Sequence, residues 1–251
     1  MKATSIAGHE QSFLTTGLDT QGKKFKLKTV TLPVAGGIDT IKVIDCLRDN
    51  NDTSFYLKEA APKERIVLHY TAGYLKGDIG RLTTQGDHVS VPYVISRSGD
   101  VYRLWDDSNW AYHLGSGVPG GNTDMSKRSI AIEISNIGHL LKSGQNLVTS
   151  YSQTDVYCAL TDTTQYIKID TPYRGQTYFA AFTEAQYTSV SKLLRYLLAK
   201  YPAINRTLVD LNQRYAVMQS APSFKGIMSH VNFRADKLDI GPAFSWDKII
   251  L

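Results

Sequence analysis

The sequence predicts an α/β fold, a central mixed β-sheet flanked by helices, and three stretches carry that expectation. Arg65-Ile66-Val67-Leu68 is rich in branched apolar side chains, runs out through His69 towards Gly73, and reads as a buried strand. Ser129 to Ser135 alternates, with Ile130, Ile132 and Ile134 on one face and Ala131, Glu133 and Ser135 on the other. Thr183-Glu184-Ala185-Gln186 has the form of a capping box, with Thr183 as N-cap and Gln186 at the third helical position. Val190, Leu193, Leu194, Leu197, Leu198 and Tyr201 follow at helical spacing as far as Pro202, so this is a helix with a core-facing stripe.

The remaining elements follow in chain order. Residues 1–62 form a β-rich extension of unknown role. In it Lys23 to Lys28 alternates charged and apolar side chains and leads into Thr29 to Val34. Ala35-Gly36-Gly37 supplies turn chemistry before Ile38 to Ile44, which predicts a β-hairpin with one polar face. Its lysines suit a solvated strand face, with phosphate contact as the alternative. The residues leave open whether this segment is a separate domain or an extra edge on the sheet. Asp49 to Ser54 is the loop before the main domain, residues 63–251. Tyr74 to Arg81 reads as a polar loop running into a short helix. Val89 to Arg97 and Asp100 to Trp105 are strands joined at Ser98-Gly99, with His88 exposed before them. Gly115 to Lys127 is glycine-rich and predicts a loop, and His139 falls in another. Residues 142–182 are a polar, aromatic-rich insertion, whose tyrosines are expected to pack against the domain or to stack on sugar faces. A shorter helix is expected over Arg206 to Tyr215.

Composition sets bounds. The 251 residues are 42% hydrophobic, enough for a core, and no apolar run is long enough to span a membrane. Met1 to Glu10 lacks the apolar stretch of a secretory signal. A formal charge of +5 suits approach to an anionic envelope or an ordinary solvated surface. No clustered basic and aromatic motif supports a nucleic-acid partner. Cys46 and Cys158 stand far apart and read as small buried hydrophobes.

The chemistry is concentrated in Ser229 to Phe244, which holds His230, Lys237 and Asp239, then a rigid Gly241-Pro242 and the aromatic Phe244. Zinc takes histidine nitrogen and carboxylate oxygen, and a hydrolytic site needs three protein ligands and one open position. His230 and Asp239 supply two. His69, on the rigid support of a core strand, is the candidate third, and a hydrogen-bonded core histidine is its alternative. Lys237 is placed to stabilise an oxyanion formed when a carbonyl is attacked. Glu133 puts a carboxylate between isoleucines, which is costly unless it is paired or lies at a cleft; exposure on an edge strand is the alternative.

Four blocks, His69 to Gly73, Trp110 to Gly115, Ser129 to Asn136 and His230 to Phe244, occur in the order seen in zinc-dependent N-acetylmuramoyl-L-alanine amidases. The chain resembles that family, which shares its fold with the peptidoglycan recognition proteins, over roughly residues 63 to 250. The resemblance implies a Zn²⁺ site of His69, His230 and Asp239 in a groove at one sheet end. It further implies Lys237 beside the polarised carbonyl, Glu133 as the acidic residue that activates the attacking water, and His113, Trp110 and Asn136 beside the substrate. Tyr112 departs from the family, which has Trp there. Another branch uses a tyrosine as the base, but Val91 falls at that position and Tyr93 two residues on, which favours Glu133. The implied reaction is hydrolysis of the amide between N-acetylmuramic acid and L-alanine in peptidoglycan or muropeptides. A non-catalytic peptidoglycan-binding module is the alternative. Without a secretory signal, the expected settings are the cell wall after lysis or after delivery by a dedicated machine docking through residues 1–62, or cytoplasmic recycling.

Overall fold

The computed structural model describes residues 1–34 and 39–251; the expected Ala35-Gly36-Gly37 turn lies outside them. The chain opens with helix α1 (Ile6–Thr16). It ends at Gly17, whose φ of 63° suits glycine and whose N–H donates to Phe13 O at 2.7 Å. A Cβ at Gly17 would collide with Phe25 O, so the close approach of the next strand also requires glycine. Strands β1 (Phe25–Pro33) and β2 (Thr40–Arg48) form the expected hairpin. After them come β3 (Arg65–Tyr70), α2 (Leu75–Leu82), β4 (Tyr93–Ile95), β5 (Val101–Arg103), α3 (Asn122–Lys127) and β6 (Ser129–Ile134). Strands β7 (His139–Ser143), β8 (Asn146–Thr149), β9 (Ser152–Ala159), β10 (Tyr166–Tyr173) and β11 (Gln176–Ala180) precede α4 (Glu184–Lys200) and β12 (Ile227–Ser229).

Among the described residues seven strands make one mixed sheet in the order β1-β2-β5-β4-β6-β3-β12. Its pairs are antiparallel at β1/β2 and β4/β5 and parallel elsewhere. This is the α/β fold expected. Because β2 pairs with β5, the hairpin adds two strands to the edge of the sheet. On the outermost strand Lys26 and Lys28 are exposed. Every residue of β3 is buried, as in a parallel strand covered on both faces, which explains its continuous apolar run.

One face of the sheet is covered by α4, whose Tyr187, Val190, Leu193, Leu194 and Leu197 share a core with Ile66, Leu68, Ile130, Ile132 and Ile134. Each such aliphatic side chain, fully buried, contributes about 1.5–3 kcal/mol. The opposite face holds Phe13 of α1 and Leu75 and Ile79 of α2 against Ile44, Cys46, Val94 and Ala131. Cys46 and Cys158 are free and buried, as expected.

Several local expectations are corrected. The insertion is a second, five-stranded sheet in the order β10-β11-β7-β8-β9, and His139 begins its strand β7 rather than sitting in a loop. Its core joins Leu140, Leu147, Tyr157 and Ala180 to Ile6 at the start of α1. Gly115 to Lys127 is not all loop, because its last six residues form α3. Arg206 to Tyr215 gives one 3-10 turn, Leu211–Gln213, where a helix was expected; its apolar residues are too few to bury a face. The strands expected over 89–97 and 100–105 shorten to three residues each, since Val89 and Ser90 pair with the chain near Tyr112 instead.

Candidate metal centre

Strand register assembles the site. In the parallel β3/β6 pair His69 lies opposite Glu133, and in β12/β3 Ser229 lies opposite Leu68, so His230 follows beside His69. Three neighbouring parallel strands thus deliver Glu133, His69 and His230 at their carboxyl ends, where open α/β sheets bind ligands. Ser229 and Asn232 form a capping box, with Ser229 N donating to Asn232 Oδ1 at 2.9 Å, and this turns the chain at His230. Asn232 Nδ2 donates to Gln213 O and Ala216 O at 2.7 and 3.0 Å, which ties the turn down. The loop returns to Asp239 with Val231 N donating to Asp239 O at 2.9 Å.

Three ligand atoms converge there. His69 Nδ1 lies 3.1 Å from His230 Nδ1 and 3.0 Å from Asp239 Oδ2, and His230 Nδ1 lies 2.9 Å from the same oxygen. All three residues are buried, and they form the candidate metal-binding cluster among the described residues. A tetrahedral ion with ligands at about 2.0–2.1 Å would space them by about 3.3 Å, close to the triangle observed.

The orientation of the rings fits a cation. The Leu114 carbonyl can only accept, so His230 donates to it from Nε2 (2.9 Å) and turns Nδ1 inward. His69 Nε2 lies 3.1 Å from His113 Nδ1, and its Nδ1 turns inward as well. The two Nδ1 atoms and a carboxylate oxygen thus face one point, a donor set that suits a cation. Such hydrogen bonds from the far ring nitrogens also hold metal-binding imidazoles in place. Burial pushes His69 down to about 4, which keeps it neutral for ligation. Burial acts to raise Asp239, but the His230 and His69 rings outweigh it and hold the carboxyl well below its usual range.

Glu133 is partly exposed as a residue, yet its Oε2 is shielded and has no hydrogen-bond partner. Burial, then Asp239 and Asp78, raise its carboxyl well above the usual range, while Lys237 pulls it back. A cleft of about 340 Å³ opens beside His230 and is lined by Val89, Tyr112, His113, Leu114, Asn122 and Lys237 among others. His113 Nε2 is shielded and unpartnered, and burial pushes its ring well below the ordinary histidine value.

The structure therefore brings together His69, His113, Glu133, His230, Lys237 and Asp239. Two expected substrate residues fall elsewhere. Trp110 is buried, donates from Nε1 to Glu59 Oε2 at 2.9 Å, and backs Tyr112 edge-on at 5.1 Å between ring centres. Asn136 spends its amide on Ala180 O and Ala181 O, both at 3.4 Å, and on Gly138 N at 2.7 Å, linking the two sheets. Tyr93 is fully buried and donates to Asp107 Oδ2 at 2.7 Å, in the layer under α4. Val89, Leu114 and Asn122 escaped the sequence reading, because a half-exposed valine, a backbone carbonyl and a loop asparagine carry no local signature.

The family model for N-acetylmuramoyl-L-alanine amidases matches residues 59–242, most of the chain and every residue of this cluster. The chain belongs to the N-acetylmuramoyl-L-alanine amidase family. Among curated proteins nothing matches the chain. Among solved structures, the amidase family member AmiD from E. coli, in complex with anhydro-N-acetylmuramic acid-L-Ala-D-γ-Glu-L-Lys, is similar at 22% identity and a TM-score of 0.48. That match covers 76% of this chain and 58% of AmiD, so the chain spans little more than half of AmiD's length. The amidase LysC from Clostridium intestinale is similar at 14% identity and a TM-score of 0.43, over 83% of this chain and 95% of LysC. AmpD, as a selenomethionine derivative, is similar at 17% identity and a TM-score of 0.43, over 78% of this chain and 95% of AmpD.

Proposed function

We propose that this amidase family member is a zinc-dependent hydrolase of the amide bond between N-acetylmuramic acid and L-alanine. The observation that carries the reading is the convergence of two imidazole Nδ1 atoms and a carboxylate oxygen within about 3 Å of one another, beside an unpaired carboxyl. His69, His230 and Asp239 would hold Zn²⁺, which when bound supplies a Lewis acid and lowers the pKa of a water to about 7.

The chain's own groups do the rest. Glu133, made more basic by burial, accepts a proton from the attacking water and passes it to the departing L-alanine nitrogen as the carbonyl carbon–nitrogen bond breaks. Lys237, on the cleft wall, offers an ammonium to the oxygen that gains charge at the attacked carbonyl. His113, on the cleft wall with an unpartnered Nε2, is placed to hydrogen-bond substrate. Tyr112 and Val89 give the cleft an apolar wall suited to the lactyl and alanyl methyl groups. No helix among the described residues is long and apolar enough to cross a membrane. The proposed site of action is the cell wall, reached after lysis or by dedicated delivery, or a muropeptide recycling pool.

Digestion of purified peptidoglycan with mass analysis of the soluble products tests this. The expected products are free stem peptides beginning with L-alanine, lost with a chelator and restored by zinc. Bound zinc with no peptide release from either sacculi or soluble muropeptides would shift the reading to a binding module.

A further inference from the structure

The second sheet reaches the metal centre through the tip of its β10–β11 hairpin. Arg174 sits at that tip with φ 48°, in the left-handed region that costs a residue bearing a Cβ. The two-residue turn sets φ above zero at both Arg174 and Gly175, and glycine or asparagine would meet that demand at less cost than arginine. The Arg174 guanidinium donates from Nη1 to Arg234 O at 2.9 Å and to Lys237 O, and from Nη2 to Val231 O at 3.5 Å. All three carbonyls belong to the short segment between His230 and Asp239. The neighbouring Tyr173 hydroxyl donates to Tyr215 O at 3.0 Å, and its ring would lie 3.3 Å from a Cβ on Gly241, just beyond Asp239.

Asn232 and Val231 anchor the start and the close of this segment, and its middle is open. Arg234 to Leu238 is exposed or half-exposed and contains no regular element, yet it carries Lys237 and ends at the ligand Asp239. A guanidinium offers five N–H donors in a fixed plane, which suits several carbonyls of one loop better than an ammonium would.

We propose that Arg174 is a positioning residue for the metal centre. It clamps the His230–Asp239 loop, so that Asp239 Oδ2 meets both imidazoles while Lys237 stays on the cleft wall. This rests on the zinc reading above. Loss of a group that orients metal ligands typically lowers affinity by about 10–100-fold. The strained φ provides a discriminating variant, because Arg174→Gly removes the guanidinium while relieving the backbone.

The experiment measures zinc affinity by competition with a chromophoric chelator, the visible spectrum of the cobalt(II)-loaded protein, and the melting temperature of the metal-free protein. The clamp predicts that Arg174→Gly melts at or above wild type but binds zinc about 10–100-fold more weakly, with an altered cobalt spectrum. Arg174→Lys, which can reach fewer carbonyls, should fall between the two. Equal zinc affinity and an unchanged cobalt spectrum in Arg174→Gly would overturn the clamp alone. A metal-free Arg174→Gly protein melting well below wild type would assign Arg174 to folding and also overturn it. A wild-type protein that binds no zinc would remove the parent reading, and the clamp with it.

Discussion

Glu133 Oε2 is a shielded oxygen with no partner in the chain, and a buried carboxyl is costly to leave unpaired. The fold tolerates that cost at the mouth of a cleft, where a water and a scissile amide would complete the pairing. Glu133→Ala should therefore keep its zinc, measured by metal analysis, while turnover falls by about 10²–10⁴-fold. An active Glu133→Ala protein would overturn the assignment. A second buried carboxyl works on stability. Burial lifts Asp78 from 3.8 to about 6, against a hydrogen bond of 2.9 Å from Ser135 Oγ. Between about pH 4 and pH 6 the folded chain keeps a proton here that the unfolded chain has lost, so stability falls as pH rises through that window. The full effect is about 3 kcal/mol. Urea unfolding of Asp78→Asn at a series of pH values should show a flatter dependence than wild type, and parallel curves would refute the assignment.

At the scale of elements, helix α4 was legible because its signals are local. Thr183 Oγ1 accepts from Gln186 N at 3.1 Å, Gln186 Oε1 accepts from Thr183 N at 3.1 Å, and the stripe behind them is buried. Thr183→Ala should cost about 1 kcal/mol for the cap, checked by denaturant unfolding. The cost should be larger if the bond from Thr183 Oγ1 to Arg97 O at 2.8 Å contributes independently. Helix α1 gave no such signal, because its buried face is Ile6, Glu10 and Phe13, with a carboxylate where a stripe needs an apolar residue. Glu10 is there to accept from Arg97 N and Ser98 N at 2.7 and 3.0 Å, a pairing across almost ninety residues that no local window reveals. The second sheet was hidden for a related reason. Strand β10 is half-exposed or exposed at every position, so it reads as a polar insertion.

For the whole molecule, the ligand types of the site were legible in the sequence and their meeting was not. His69, His230 and Asp239 announced their chemistry, but the parallel β3/β12 register that sets the two histidines side by side joins residues about 160 positions apart. The same long-range logic governs the N-terminal segment. Phe13, Phe25, Ile44 and Cys46 pack in one cluster with Val94 and Tyr102, and β2 pairs with β5. Removal of residues 1–62 should therefore abolish the cooperative calorimetric transition; a sharp transition near the full-length melting temperature would show that the shorter chain folds alone. One last consequence concerns the sheet's outer margin. Among the described residues the β1 strand ends the sheet, and the exposed Lys26 and Lys28 stand along it. Like charges opposed across two such margins repel, so the lysines act as a fence against strand-to-strand growth into fibres. Recast as threonines, the same margin would invite a second copy to continue the sheet, and light scattering at high concentration would register the difference.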